Sequence, residues 1–303
     1  MSEAEFRSLY NRLRDGTDWG AADRRGALNN ITAAQILAAA GLVRAGISVS
    51  LAAPAERSAA DNPEPATRHM VGLDQAEKAA SGLHFARDRL EMNIHGTADS
   101  HMDALCHAIY DGALYNGVSA DTVTPEGATA LAIDVARDGV TGRGVLLDIP
   151  RLRGVSWLEP GDHVTVGDLR AAEEAQEVTV GQGDLLFVRV GHRRRRNELG
   201  PWDVAAASAG LHPTAMEFVA ERQVAALGSD GNNDTMPSTA IGVAFPVHVL
   251  ALNAMGLHLL DYLQFEDLVP LCERLHRWTF LCVIAPLRLP MATGSPINPI
   301  AIL

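Results

Sequence analysis

Asn93-Ile94-His95-Gly96-Thr97-Ala98-Asp99-Ser100-His101-Met102-Asp103-Ala104-Leu105-Cys106-His107 is the stretch around which this chain is read. Three of the eleven histidines fall within it, beside two aspartates. His101 and Asp103 are two apart, so in an extended segment both point to the same side. His107 follows Asp103 by four, one helical turn. A segment that presents His and Asp together, then returns a further His, can converge ligands on one cation. Imidazole with carboxylate suits Zn²⁺ or Mn²⁺. Such an ion lowers the pKa of bound water toward about 7 and polarises a carbonyl. The same spacing also fits histidines that merely hydrogen-bond Asp103 or backbone to hold a turn, and spacing alone leaves both open.

Composition narrows the surroundings of this stretch. The 303 residues carry a net charge of −12, which argues against nucleic acid or an anionic membrane surface as partner. The single basic run, Arg193 to Arg196, reads as a solvated turn after a strand, with an acid-binding patch as the rival. Three unpaired cysteines (Cys106, Cys272 and Cys282) and a polar, acidic start, Met1 to Phe6, predict a cytoplasmic protein without disulfides. Cys106 reads as a small buried thiol, because adjacent His107 would not normally point the same way.

Outward from the cluster, Thr32 predicts an N-cap for a helix to about Gly41, with Ile36, Leu37 and Ala40 on one face. Ile47 to Leu51 alternates like a strand. Residues 53–80 predict a long loop, of the kind that forms lids or oligomer contacts. Arg87 to Ile94 reads as a strand feeding the cluster. Val145 to Ile149 and Leu185 to Val190 read as buried strands, Val224 to Asp230 as a strand entering a turn, and Trp278 to Leu289 as a long apolar strand. Asp168 reads as the cap of a helix to about Glu177, and Val249 to Ala254 as an apolar helix. The tail from Gly294 reads as irregular. Strands and helices mix without a βαβ period, so the expected sheet is mixed, in one α/β domain over 1–303. A Gly-x-Ser-x-Gly elbow, a Walker loop and His-Glu-x-x-His are all absent, and Gly142-Arg143-Gly144 and Gly181-Gln182-Gly183 lack the third glycine of a dinucleotide fingerprint.

The stretch from His95 to His107 resembles the signature of the cyclase / kynurenine formamidase superfamily of metal-dependent hydrolases, which includes isatin hydrolase. That signature reads roughly His-x-Gly-Thr-His-x-Asp-x-Pro-x-His. Further landmarks in order strengthen the resemblance: Gly26 to Asn29, Gly210 to Pro213, Leu227 to Asp230, Phe245 to His248, Gly256 to Leu263 and Gly294 to Pro296. The resemblance implies a swivelling β/β/α cyclase-type fold, its mixed sheet flanked by helices. It also implies a divalent metal, a small-molecule substrate and a homodimer or homotetramer.

Carried over by residue, the resemblance makes His101 and Asp103 metal ligands and His107 the catalytic acid/base, oriented by a carboxylate. His248 matches a ligand of members with two metals, and Asp261 falls on the glutamate of a Leu-Glu-Asn-Leu pattern. The first histidine of the signature falls on Thr97, and its proline on Leu105. His95, two residues before Thr97, shares a side with it in an extended segment, so His95 or His248 completes the set. The implied reaction is hydrolysis of a C–N amide or lactam bond of a small cyclic or aromatic substrate. Alternatives are a lactone-hydrolysing or other ring-opening enzyme on the same site, or a non-catalytic binder in which Thr97 marks a lost metal. Among other histidines, His69 and His84 in or near the long loop are candidates to reach a substrate, and His212 for an end-cap or pocket wall. His163, His192, His258 and His276 read as surface or structural. Trp19 is a candidate pocket wall.

Overall fold

Strands from Ser48 to Ile302 join in one curled, nine-stranded mixed sheet in the computed structural model of the chain, which describes residues 1–16, 19–55, 62, 64–71, 82 and 85–303. In chain order the sheet strands are β1 (Ser48–Ser50), β2 (His101–Asp103), β3 (Val140–Asp148), β4 (Leu185–Arg189), β5 (Ala226–Ser229), β6 (His258–Asp261), β7 (Thr279–Ile284), β8 (Gly294–Pro296) and β9 (Ile300–Ile302). Their spatial order is β1-β9-β7-β3-β4-β5-β6-β2-β8. The centre, β3-β4-β5-β6, is parallel; every other pairing is antiparallel. The expected mixed α/β sheet flanked by helices is the observed architecture.

The parallel centre is apolar because both of its faces are covered. Val145, Leu146, Leu147, Leu185, Leu186 and Val188 are inaccessible to solvent. Each such side chain contributes roughly 1.5–3 kcal/mol by leaving water. Two glycines make room for phenylalanine rings on adjoining strands. Gly144 pairs with Phe280 and Gly228 with Phe187, and a β-carbon at either position would lie within 3 Å of the facing ring. Gly142-Arg143-Gly144 is therefore a packing device inside β3, consistent with its failure as a nucleotide fingerprint.

Several local expectations change. Thr32 does cap the helix Ala33–Ala40, but Ile36 is 38% and Leu37 74% exposed, and of that helix only Ala39 is buried. The helix Val166–Ala175 is capped by Thr165, with Asp168 completing the capping box from the third position. Trp278 to Leu289 yields only Thr279–Ile284 as strand, and the tail read as irregular supplies β8 and β9. Arg87–Glu91 pairs with Thr67–Val71 in an exposed hairpin outside the main sheet, so 53–80 holds a strand where a continuous loop was expected. The basic run forms the helix His192–Leu199, in which Arg193 and Arg196 are buried. A solvated turn is thus ruled out: the Arg193 guanidinium donates to the Ala98 and Tyr262 carbonyls. Among the described residues no helix is long and apolar enough to cross a membrane.

Candidate metal centre

The cluster is set by strand register. β2 lies between β6 and β8, with His101 opposite Asp261 on one side and Pro296 on the other. Alternation sends His101 and Asp103 to the same face, and pairing brings the Asp261 carboxylate alongside. His248 arrives from the far side, on the short helix Pro246–His248. That helix runs on into π-helical turns over Val249–Met255, an irregularity often found at functional sites.

Asp103 is the centre of the arrangement. It is 1% exposed, and its two oxygens face different histidines. Oδ1 is 2.9 Å from His95 Nδ1 and 3.6 Å from His101 Nε2. Oδ2 is 3.5 Å from His248 Nε2, which is in turn 3.4 Å from Asp261 Oδ2. Two ligand sets therefore share Asp103: His95, His101 and Asp103, and Asp103, His248 and Asp261. Within each, the ligand atoms lie within 4.8 Å of one another.

The ring nitrogens turned away from Asp103 are anchored. His101 Nδ1 donates to the Asp99 carbonyl at 2.8 Å, and His248 Nδ1 donates to Asp234 Oδ2 at 2.6 Å. Both arrangements leave Nε2 directed at Asp103, the pattern by which a protein orients a histidine for metal binding. His95 Nε2 lies 2.9 Å from Thr293 Oγ1. Asp261 is held by the Asn233 and Asn232 amides at 2.6 and 3.1 Å.

The charges are unbalanced toward negative. Burial alone would raise the Asp103 carboxyl, yet the neighbouring His248 and His95 imidazoles, with His107 and His101 close by, hold it well below the usual carboxylate range. Burial would likewise lower His248, but its contacts with Asp103, Asp234 and Asp261 push it well above the ordinary imidazole value. Asp103 Oδ2 is buried without a hydrogen-bond partner among the described residues. A buried carboxylate oxygen in that position favours a cation. Three imidazoles and two carboxylates fit Zn²⁺ or Mn²⁺.

All the residues expected at the site thus converge, His95 and His248 included. Thr97 is not in either ligand set; it lines the adjoining cavity while the His95 ring occupies the space beside Asp103. His107 differs from expectation in one respect. No described carboxylate is hydrogen-bonded to it; its ring stacks on His95 at 3.7 Å, with 5° between the planes. Burial pushes His107 down to about 4 against the opposing pull of Asp103, so it is neutral at pH 7. The return of His107 toward Asp103 is made by a turn, with its N–H on the Ala104 carbonyl, rather than by a helix.

A cavity of about 550 Å³ opens at the cluster, and its lining includes His95, His101, His107, His248 and Tyr262. Trp19, His69 and His212 lie outside its lining, and His84 lies outside the described residues. His212 instead caps a turn through Thr214. His192 is buried against Trp202 and Tyr262, and His258 is buried with Nδ1 on the Asp103 carbonyl. Burial pushes the Cys106 thiol up to about 12, which makes it a poor nucleophile.

Sequence reasoning missed Asp234, Thr293, Asn232 and Asn233. A signal existed for three of them: Asn232-Asn233-Asp234 lies two residues beyond the parallel strand β5, off its carboxyl end, where sites of α/β sheets gather.

A profile of the cyclase family matches residues 26–233. The crystal structure of a novel cyclase superposes with a TM-score of 0.87 at 30% identity, over 97% of this chain and 99% of that one. Isatin hydrolase A from Labrenzia aggregata, bound to benzyl benzoate, gives 0.60 at 20% identity, covering 88% and 97%. An isatin hydrolase bound to the product analogue thioisatinate gives 0.59 at 21%, covering 90% and 99%. At that identity the isatin hydrolases show a shared fold alone. No curated protein matches the chain by sequence.

Proposed function

The chain belongs to the cyclase family, and on that premise we propose that it is a metal-dependent hydrolase of a small cyclic or aromatic amide or lactam. The reaction would be of the kind named for isatin hydrolase or kynurenine formamidase. The observation that carries this reading is Asp103, a buried carboxylate with histidines at both oxygens and an Oδ2 that accepts no hydrogen bond among the described residues, beside a cavity of small-molecule size. His101, Asp103, His95, His248 and Asp261 would hold the ion, Zn²⁺ or Mn²⁺ by donor chemistry. A divalent cation there supplies Lewis acidity toward a water and a carbonyl.

The chain's own residues do the rest. His107 is neutral at pH 7 and faces the same cavity, so it can accept a proton from the attacking water and return it to the leaving nitrogen. Stacking on His95 fixes its ring plane without tying up either nitrogen. Asp234 and the Asp99 carbonyl keep His248 and His101 in the tautomer that offers Nε2. We further read the protein as a cytoplasmic homodimer or homotetramer, with three buried free cysteines and an exposed hairpin supporting that view.

The test is turnover of isatin and of formanilide by protein reconstituted with Zn²⁺ or Mn²⁺. Hydrolysis that a chelator abolishes and added metal restores is expected. No turnover of either compound by protein carrying bound metal would overturn the amide reading.

A further inference from the structure

Apart from its histidines the cavity is lined chiefly by apolar side chains, and that chemistry restricts what can enter. Val204, Ala205, Met236, Val243 and Phe245 line it, with Ile109 at an exposed edge. Among the described residues no Arg, Lys, Asp or Glu lines the cavity. An ammonium or carboxylate held against those apolar side chains would lose water and gain no counter-ion.

One polar group of the lining lacks a partner among the described residues. Ser208 lines the cavity, is 1% exposed, and its hydroxyl has no hydrogen-bond partner among the described residues. Its backbone is pinned: the Ser208 N–H donates to the Met236 carbonyl at 3.0 Å, and its carbonyl accepts from Met236 and Gly161. Asn232, another polar side chain of the lining, is already engaged with Asp261 and the Asp234 N–H. A buried hydroxyl left unpaired is costly, and alanine would fill the same space without that cost. A ligand that completes the hydrogen bond accounts for serine at this position.

We propose that the substrate is uncharged away from its scissile bond and carries one hydrogen-bonding oxygen or nitrogen that Ser208 recognises. This rests on the hydrolase reading of the adjoining metal centre. It excludes substrates bearing a free amino-acid group and favours neutral ring amides or lactams with a second carbonyl or hydroxyl. Ser208 is then a specificity-determining residue rather than a catalytic one.

The test uses the full chain, loaded with Zn²⁺ or Mn²⁺, and ring-matched formanilides: unsubstituted, hydroxylated and carboxylated, with the substituent placed in turn at each ring position. We expect kcat/KM for every carboxylated probe to fall at least about a hundredfold below that of the best hydroxylated one. In S208A the preference for that hydroxylated probe over the unsubstituted one should drop about five- to tenfold, chiefly through KM. Equal turnover of the charged and uncharged probes, or an unchanged preference in S208A, would overturn the proposal. The comparison of probes on the unmodified chain needs no variant to fold. Should none of the formanilides be hydrolysed with metal bound, the amidase reading fails, and calorimetric binding of the same probes to the metal-free protein still decides this one. Preference for the uncharged probes supports it, and equal or tighter binding of the carboxylates overturns it.

Discussion

Gly294 stands directly across the sheet from Asp103, and the space its β-carbon would need is taken by the His95 ring. A β-carbon at Gly294 would lie 2.8 Å from His95 Cε1 and 2.7 Å from the Met102 carbonyl oxygen. Gly294→Ala should therefore displace His95 from Asp103 and weaken metal binding about 10–100-fold, the usual cost of disturbing a ligand's support. Competition against a chromogenic chelator measures this. An affinity within twofold of the parent would show that His95 is not a ligand.

Asp234 orients His248 through its imidazole Nδ1 and also accepts the backbone N–H groups of Val247 and His248. Asp234→Asn should lower metal affinity by a similar factor of about 10–100 and release the ring to flip. His248→Ala, which deletes the ligand outright, should do at least as much. Normal metal affinity in both variants would remove His248 from the centre.

His107 touches neither ligand set by hydrogen bond, so its loss should spare the metal. His107→Ala is expected to retain bound metal and to lose about 10²–10⁴-fold in kcat, the range for an acid/base group. Activity within twofold of the parent would refute the proton-transfer role.

Asp230 gives a prediction about stability. Burial raises its carboxyl to about 6, although the Arg189 charge and the Val190 N–H pull the other way. The folded chain therefore holds this proton more tightly than the unfolded chain, whose carboxyl titrates near 4. Between about pH 4 and pH 6 the native state binds more protons, so its stability falls as pH rises through that window and levels off above it. The loss is at most about 3 kcal/mol from this group. Asp230→Asn should abolish that component. Urea denaturation of both proteins from pH 4.5 to 7.5 reads it as the difference between two curves. A difference that does not change with pH would contradict the assignment.

The site was legible where chemistry is local. Strand alternation alone aligns His101 with Asp103, and the structure preserves it in β2. His95 was ambiguous because its place depends on a turn and on Gly294, 199 residues away, which no local pattern links. Asp234 and Thr293 were invisible for the same reason: each matters through one hydrogen bond to a distant histidine. The short strands β8 and β9 were missed because they are flanked by prolines and lie at or near the edges of the sheet, where register rather than apolar content defines them. Arg193 defeated the composition rule, since two backbone carbonyls and burial override the expectation that a basic run faces water. The apolar centre of the sheet was plain in the sequence, because parallel strands covered on both faces need continuous hydrophobic runs.

The most direct test of the central claim is the metal content of the chain purified without chelators, measured beside the Asp103→Asn variant. Asp103 belongs to both ligand sets, so its replacement should empty the centre. At least one equivalent of zinc or manganese per chain in the parent, and under about a tenth in the variant, is predicted. A parent below about a tenth of an equivalent that takes up no added Zn²⁺ or Mn²⁺, or a variant that binds as much as the parent, would contradict the account.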